Sequence, residues 1–133
     1  MVFVDSNVPM YVAGRDHPLR APALRFLERV RAGELEACSS TEVLQEILYR
    51  YAGLKRLDLA RDVYNLFVGL CPVILPVTLA DTDRARDLLA EAQGLSVRDA
   101  VHAGVMLNNG VGEIATFDAG FELVPGIQRL SLA

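Results

Sequence analysis

The sequence has no surplus of positive charge: 13 lysines and arginines stand against 17 aspartates and glutamates, a formal net charge of −4 at pH 7. That excludes a protein that coats nucleic acid by counterion release over a generally basic surface. It does not exclude a nuclease in which acids gather at one site and arginines elsewhere. Lysine is almost missing, Lys55 being the single example. Cysteine is scarce too. Cys38 and Cys71 sit among apolar neighbours with no C-x-x-C spacing, which points to reduced core thiols in a cytosolic protein and away from a disulfide framework. The opening Met1-Val-Phe-Val-Asp5 has no basic region and soon meets an acid, so no signal peptide is expected. The longest uncharged stretch, Val63 to Ala80, approaches the ~20 residues of a membrane span. Asn65, Gly69, Pro72 and Pro76 interrupt it, and a helix end, a turn and a buried strand explain it better. Repeats, linkers and low-complexity tracts are lacking.

What is present is an ordinary globular composition, 52% apolar and 23% charged over 133 residues. A chain of this length buries roughly two-thirds of its unfolded surface and folds without disulfides or a structural metal. Short apolar runs alternate with helix-period segments, the pattern of a single α/β domain around a parallel sheet. Strands are predicted at 2–4, 35–38, 73–75, 114–116 and 127–130. Helices are predicted after Ser6 and Asn7, which can cap a segment that Pro9 could begin, and over 19–32, 41–52, 57–70, 80–92 and 97–108. In the second of these, Leu24, Leu27 and Val30 form the expected apolar stripe.

Three acids fall at predicted strand ends or helix starts. Asp5 follows the first strand, Asp118 follows Ile114-Ala115-Thr116, and Asp99 lies in the first turn after Ser96. In open α/β sheets, ligands bind in the crevice beyond the carboxyl ends of the strands. Glu42 and Glu46 lie one helical turn apart and share a face. Carboxylate oxygens suit hard divalent cations. Two carboxylates about 4 Å apart repel by roughly 4 kcal/mol at an effective dielectric of ~20, so a cluster of four needs a cation or protonation. With four acids set aside, the remaining charges balance, and magnesium or manganese is the economical counter-ion. Each acid also has a local reading. Asp5 and Asp118 could be turn residues, Asp99 could complement a helix N-terminus, and Glu42 could complete a capping box with Ser39. Glu46 has no such duty and sits among Leu44, Ile47 and Leu48, where an acid needs a partner.

Together these stretches resemble the PIN-domain ribonucleases, and within them the VapC-type toxins of toxin–antitoxin pairs. Val2-Phe-Val-Asp5-Ser-Asn-Val is similar to the first motif of that family and Cys38-Ser-Ser-Thr-Glu-Val-Leu-Gln-Glu46 to the second. Leu95-Ser-Val-Arg-Asp99-Ala-Val-His-Ala is similar to the third, and Ile114-Ala-Thr-Phe-Asp118-Ala-Gly-Phe to the fourth. The resemblance spans nearly the whole chain. It implies a three-layer α/β/α sandwich with a mostly parallel central sheet, and endonucleolytic cleavage of RNA through metal-activated water. It implies that Asp5 and Asp99 are the chief ligands of Mg2+ or Mn2+, with Asp118 and Glu46 completing the site and Glu42 the alternative in the second motif. Asn7 and Thr116 would orient the carboxylates. It further implies a cytoplasmic homodimer, inhibited by a cognate antitoxin that presents an arginine to the acids, and no membrane association. Ala119 and Gly120 stand where some relatives carry another acid, which leaves one metal or two open.

Other residues carry less. Nine of the 13 basic residues lie between Arg15 and Arg61 and could hold phosphates or simply line solvated helices. Tyr49 and Tyr51 could stack bases or pack. His17 reads as a loop residue. His102, three after Asp99, invites an Asp-His metal reading, but a packed helix residue is preferred because a hard cation prefers oxygen. A phosphoacceptor signalling domain would need a lysine near a strand end, and Lys55 is at a helix boundary. A non-catalytic PIN-like RNA-binding scaffold remains the alternative.

Overall fold

The computed structural model describes residues 1–132, and their order of elements follows the predicted alternation. Strands β1 (Val2–Val4), β2 (Ala37–Ser40), β3 (Val73–Leu75), β4 (Glu113–Ala115) and β5 (Gln128–Leu130) form one sheet in the order β3-β2-β1-β4-β5. Every neighbouring pair is parallel. Parallel strands need crossovers, which the helices supply: α1 (Asn7–Ala13), α2 (Arg20–Arg31), α3 (Thr41–Gly53), α4 (Leu57–Leu70), α5 (Leu79–Glu91) and α6 (Val97–Asn108). Helices α1 to α4 pack among themselves, and α5 packs on α6. This is the α/β/α sandwich expected from the sequence.

The topology fixes where a site can form. The chain runs outward from β1 through β2 to β3, then returns to β4 on the other side of β1. The order therefore reverses between β1 and β4, and a crevice opens beyond their carboxyl ends. Val4 pairs with Ala115 at that edge, so Asp5 and Thr116 emerge side by side. Strand β1 is central and buried at every position, which explains its unbroken Val-Phe-Val run. Ile47, Phe67, Met106, Ile114 and Phe121 are among its fully buried companions.

Several local expectations shift. Strand β2 begins two residues later than predicted, so Ser39 and Ser40 belong to the sheet. The Ser39 hydroxyl donates to the Val4 carbonyl at 3.0 Å, and Ser40 caps α3 by accepting from the Val43 N–H. The capping box of Ser39 with Glu42 is therefore not formed. The complete box is at α5, where Thr78 and Asp81 exchange side-chain and backbone hydrogen bonds. Ser6 caps nothing in α1. On α2 the buried stripe is Ala23, Phe26, Leu27 and Val30, while Leu24 is 38% exposed. Those four positions repeat at three- and four-residue intervals, and Leu24 lies off their face.

The uncharged stretch 63–80 divides into the end of α4, a bend at Pro72, strand β3 and the first residues of α5. Strand β3 is half-buried at every position, and not buried as expected, because it is an edge strand of the sheet. No helix among the described residues is long and apolar enough to cross a membrane. Cys38 and Cys71 are buried free thiols. Burial pushes both up in pKa, Cys71 to about 12 with a smaller contribution from Cys38.

Candidate active site

Asp5 leaves the end of β1 fully buried, with every oxygen engaged. Its Oδ1 accepts from the Ser6 N–H at 2.7 Å, and its Oδ2 accepts from the Thr116 hydroxyl at 2.7 Å. Asn7 Nδ2 donates to Thr116 Oγ1 at 3.2 Å and lies 3.5 Å from Asp5 Oδ2. Asn7 Oδ1 accepts from the Phe117 N–H. Asn7 and Thr116 thus tie the β1 and β4 ends together and fix the Asp5 carboxylate.

Glu46 reaches the same place from the second turn of α3. Its Oε2 accepts from the Ser6 hydroxyl at 2.7 Å, and its Oε1 meets His102 Nε2 of α6 in a close polar contact. Asp5, Glu46 and His102 each turn one potential ligand atom into a space where all three lie within 4.8 Å of one another. Glu42, one turn earlier, joins none of these contacts.

Asp99 opens α6, with its backbone N–H capped by Ser96 Oγ at 3.1 Å. Asp118 starts the short 3₁₀ helix Ala119–Leu123 and accepts from the Gly120 N–H at 2.9 Å. Gly120 leaves room for them: a Cβ there would lie 2.8 Å from Asp99 Oδ2 and 3.2 Å from Asp118 Oδ1 and would displace the carboxylates. Arg98 lies among these acids. Its nitrogens are 3.5 Å from Glu46 Oε2, 3.7 Å from Asp99 Oδ1 and 3.6 Å from Asp118 Oδ2. Asp5 and Glu46 therefore meet at His102, and Glu46, Asp99 and Asp118 gather around Arg98, so acids from four separate stretches adjoin at the switch point of the sheet.

The titration of these groups reflects crowding. Burial raises the Asp99 carboxyl most, Asp118 beside it adds to the effect, and the group titrates at about 6. The Gly120 N–H holds Asp118 below the usual carboxylate range, with Asp99 and Arg98 assisting. For Glu46, burial acts upward but is outweighed by His102, Ser6 and Arg98, and the group is lowered. Burial acts downward on His102 and is outweighed by Glu46 and Asp5, so its pKa is raised. His102 and Glu46 thus each favour the charged form of the other.

A pH dependence follows for the protein in chelator. Asp99 binds its proton more tightly folded than unfolded, so its contribution is complete below 3.8 and is lost as pH rises through about 6. His102 acts in the same sense, its contribution being complete below 6.5 and lost above. Glu46 and Asp118 act oppositely and lose theirs only in acid, below about 4.5 and 3.8. The chelated protein should therefore be more stable near pH 5 than near pH 8, by about 1–2 kcal/mol. Thermal melts in EDTA at the two pH values check this, and a higher melting temperature at pH 8 would contradict it.

Sequence reasoning missed two participants, Ser6 and Arg98. His102 is packed, as expected, between Phe3 and Phe121, but its Nε2 faces the acids, as the Asp-His spacing of residues 99 and 102 on one helix face also allows. Ser6 serves Glu46 instead of a helix end, and nothing in the sequence pairs residues 6 and 46. Arg98 has only its neighbour Asp99 to recommend it. Tyr51 is buried, whereas Tyr49 is 77% exposed. His17 is a loop residue whose Nδ1 accepts from the Leu19 N–H. Among the arginines between 15 and 61, Arg29 pairs with Glu34 and Arg56 with Asp58 at the surface.

The donor set fits a hard divalent cation. Asp99 Oδ1 is a buried carboxylate oxygen without a hydrogen-bond partner, an expensive state unless a cation or proton is near.

Comparison with known proteins agrees with this geometry. The family profile described as PIN domain matches residues 2–127. The chain is 40% identical over 131 residues to ribonuclease VapC13 of Mycobacterium tuberculosis, covering 98% of this chain and 100% of that relative. Ribonuclease VapC23 of the same organism is 41% identical over 118 residues, 89% of this chain and 93% of the relative. Among solved structures, VapBC2 from Rickettsia felis bound to a promoter DNA fragment superposes with a TM-score of 0.76 at 18% identity. The match covers 98% of both chains.

Proposed function

The chain belongs to the PIN-domain family and is a ribonuclease of the VapC toxin type; from that premise we propose that its four-carboxylate groove hydrolyses RNA phosphodiester bonds with the aid of Mg2+ or Mn2+. The observation that carries this reading is the convergence of Asp5, Glu46, Asp99 and Asp118 at the carboxyl edge of the parallel sheet. Asp5 and Asp99 would be the principal ligands, with Asp118 and Glu46 completing the set. Thr116 and Asn7 hold Asp5 in register by hydrogen bonds at its Oδ2, the role of groups that orient metal ligands. A divalent cation held by these oxygens lowers the pKa of water and neutralises charge that develops on the phosphate. The side chains do the rest. His102 keeps Glu46 ionised and fixed from the core side. Asp99 would serve as a ligand in its deprotonated form, which its crowding by burial and Asp118 makes harder to reach than for a free carboxyl. No side-chain nucleophile is needed.

We further propose that the chain acts in the cytoplasm as a homodimer, and that a cognate antitoxin covers the groove and presents an arginine to the acids. Exposed apolar side chains on α3, the turn after it and α4, among them Tyr49 and Leu57, support a protein partner. The likeness in fold to a solved toxin–antitoxin complex from Klebsiella pneumoniae points the same way.

The test is cleavage of assorted RNAs with Mg2+ or Mn2+ by the wild-type protein and by Asp5→Ala. Cleavage by the wild type alone is expected. No cleavage by the wild type, or equal cleavage by the variant, would leave a PIN-like scaffold as the better description.

A further inference from the structure

We infer that Arg98 is a built-in competitor for the cation, and that its hold on the groove sets how tightly the site takes up Mg2+ or Mn2+. The inference rests on the reading of the four carboxylates as a cation site and adds to it the residue that controls its occupancy.

The contacts of Arg98 have an unusual pattern. It offers one nitrogen to each of three acids, Glu46, Asp99 and Asp118, which come from α3, α6 and the 3₁₀ helix. Each distance lies between 3.5 and 3.7 Å, longer than the roughly 2.7–2.9 Å of a charge-assisted hydrogen bond. Arg129 shows the contrast: it gives two nitrogens to a single oxygen of Glu122, at 3.1 and 2.9 Å. Arg98 therefore serves the acids as a shared positive charge and not as a forked partner of any one of them.

Of the two nitrogen-bearing side chains among these acids, only one can leave. His102 is completely buried between Phe3 and Phe121. The Arg98 side chain is 46% exposed and departs by rotation about its own bonds, with no core group displaced. A guanidinium cannot be discharged by losing a proton, so it cannot share these oxygens with a doubly charged ion on neutral terms. Uptake of the cation requires Arg98 to turn outward. The free energy with which the three acids hold it is subtracted from that of cation binding.

The consequence has opposite signs in two measurements. Without Arg98 the acids lose their movable counter-ion, so the chelated protein becomes less stable, and the cation no longer has a competitor, so it binds more tightly. A residue that merely propped the acids in place would lower both stability and affinity when removed. The experiment uses the full chain stripped with EDTA and dialysed, in wild-type, Arg98→Gln and Arg98→Lys forms. Titration with Mg2+ by calorimetry, or with Mn2+ by electron paramagnetic resonance, gives Kd, and melts in EDTA give stability.

Arg98→Gln should bind the cation about tenfold more tightly, ~1.4 kcal/mol, and melt at a lower temperature in chelator. Arg98→Lys, which keeps the charge, should stay near the wild type in both. Equal or weaker binding by Arg98→Gln would overturn the inference while leaving the cation site in place. Failure of the cation reading itself looks different: neither the wild type nor Arg98→Gln would then take up the ion.

Discussion

Asp99→Asn should abolish RNA cleavage and at the same time raise the melting temperature of the chelated protein. The two effects have one cause. Asp99 is 3% exposed, faces Asp118 across Gly120, and is held by burial and that neighbour at a pKa of about 6. Above that pH the folded protein must ionise a carboxyl that would be cheaper to ionise unfolded, at a cost of about 2 kcal/mol. Asparagine keeps the shape and removes the charge. It also leaves the helix cap untouched, because Ser96 bonds to the backbone N–H of residue 99 and not to its side chain. Stability in EDTA at pH 8 should therefore rise by up to about 2 kcal/mol and become nearly independent of this group's titration. Cleavage should fall on the order of 10³-fold, ~4 kcal/mol of barrier, through loss of an anionic ligand. Circular-dichroism melts with a chelator and cleavage rates with saturating Mg2+ measure the two halves. If Asp99→Asn instead melted lower, Asp99 would be a structural complement to the start of α6, and its place in the groove incidental.

Gly104→Ala should be the most damaging small substitution away from the acids. A Cβ on Gly104 would lie 2.6 Å from the Asp81 carbonyl oxygen and 3.4 Å from the Ala85 N, both backbone atoms of α5. No rotamer change can relieve that contact, so α5 and α6 must separate. The same interface buries Asp81, whose Oδ1 accepts from Asn108 Nδ2 at 2.8 Å and whose Oδ2 accepts from the Thr78 N–H at 2.8 Å. Overpacking of this kind costs about 2–3 kcal/mol, or roughly 10 °C in melting temperature for a domain of this size. Since α6 carries Arg98, Asp99 and His102, cleavage should fall as well. Gly69→Ala is the control: nothing lies within 4 Å of its added Cβ, and alanine favours the helix by up to ~1 kcal/mol. Equal melting temperatures for Gly104→Ala and Gly69→Ala would show that α5 and α6 can slide apart freely.

The two substitutions mark a division within the molecule. At Gly104 local sequence preference, which favours alanine in a helix, yields to the approach of a second helix. At Asp99 the stability of the fold yields to a cluster of like charges. Departures of this kind from the best local choice concentrate where a protein does chemistry or where elements must come unusually close.

Much of the architecture was legible from residue order alone. The alternation of short β-branched runs with helix-period segments dictates parallel strands joined by helices, and a parallel sheet of that kind exposes one carboxyl edge where Asp5 and Asp118 had to emerge. Period and capping also delimited α4 and α6 correctly, because Leu57 to Leu70 runs into Cys71-Pro72 and Ser96 announces its helix. What local pattern could not decide was the use of groups that serve two purposes. Ser39 and Ser40 suit a helix start as well as a strand, and the register of β2 against β1 and β3 put them in the sheet. Glu42 and Glu46 share a face, and only the crossing of α3 over the end of β1 delivered Glu46 to Ser6 and His102. Arg98 and Asp99 are adjacent, yet their common orientation toward Asp118 exists because the turn after β4 folds back over α6. Hydrophobic period acts between neighbours in sequence and is therefore written there. The charge balance of the groove is a sum over residues 5, 46, 98, 99, 102 and 118, whose separations are set only when the sheet and both helix layers close around them.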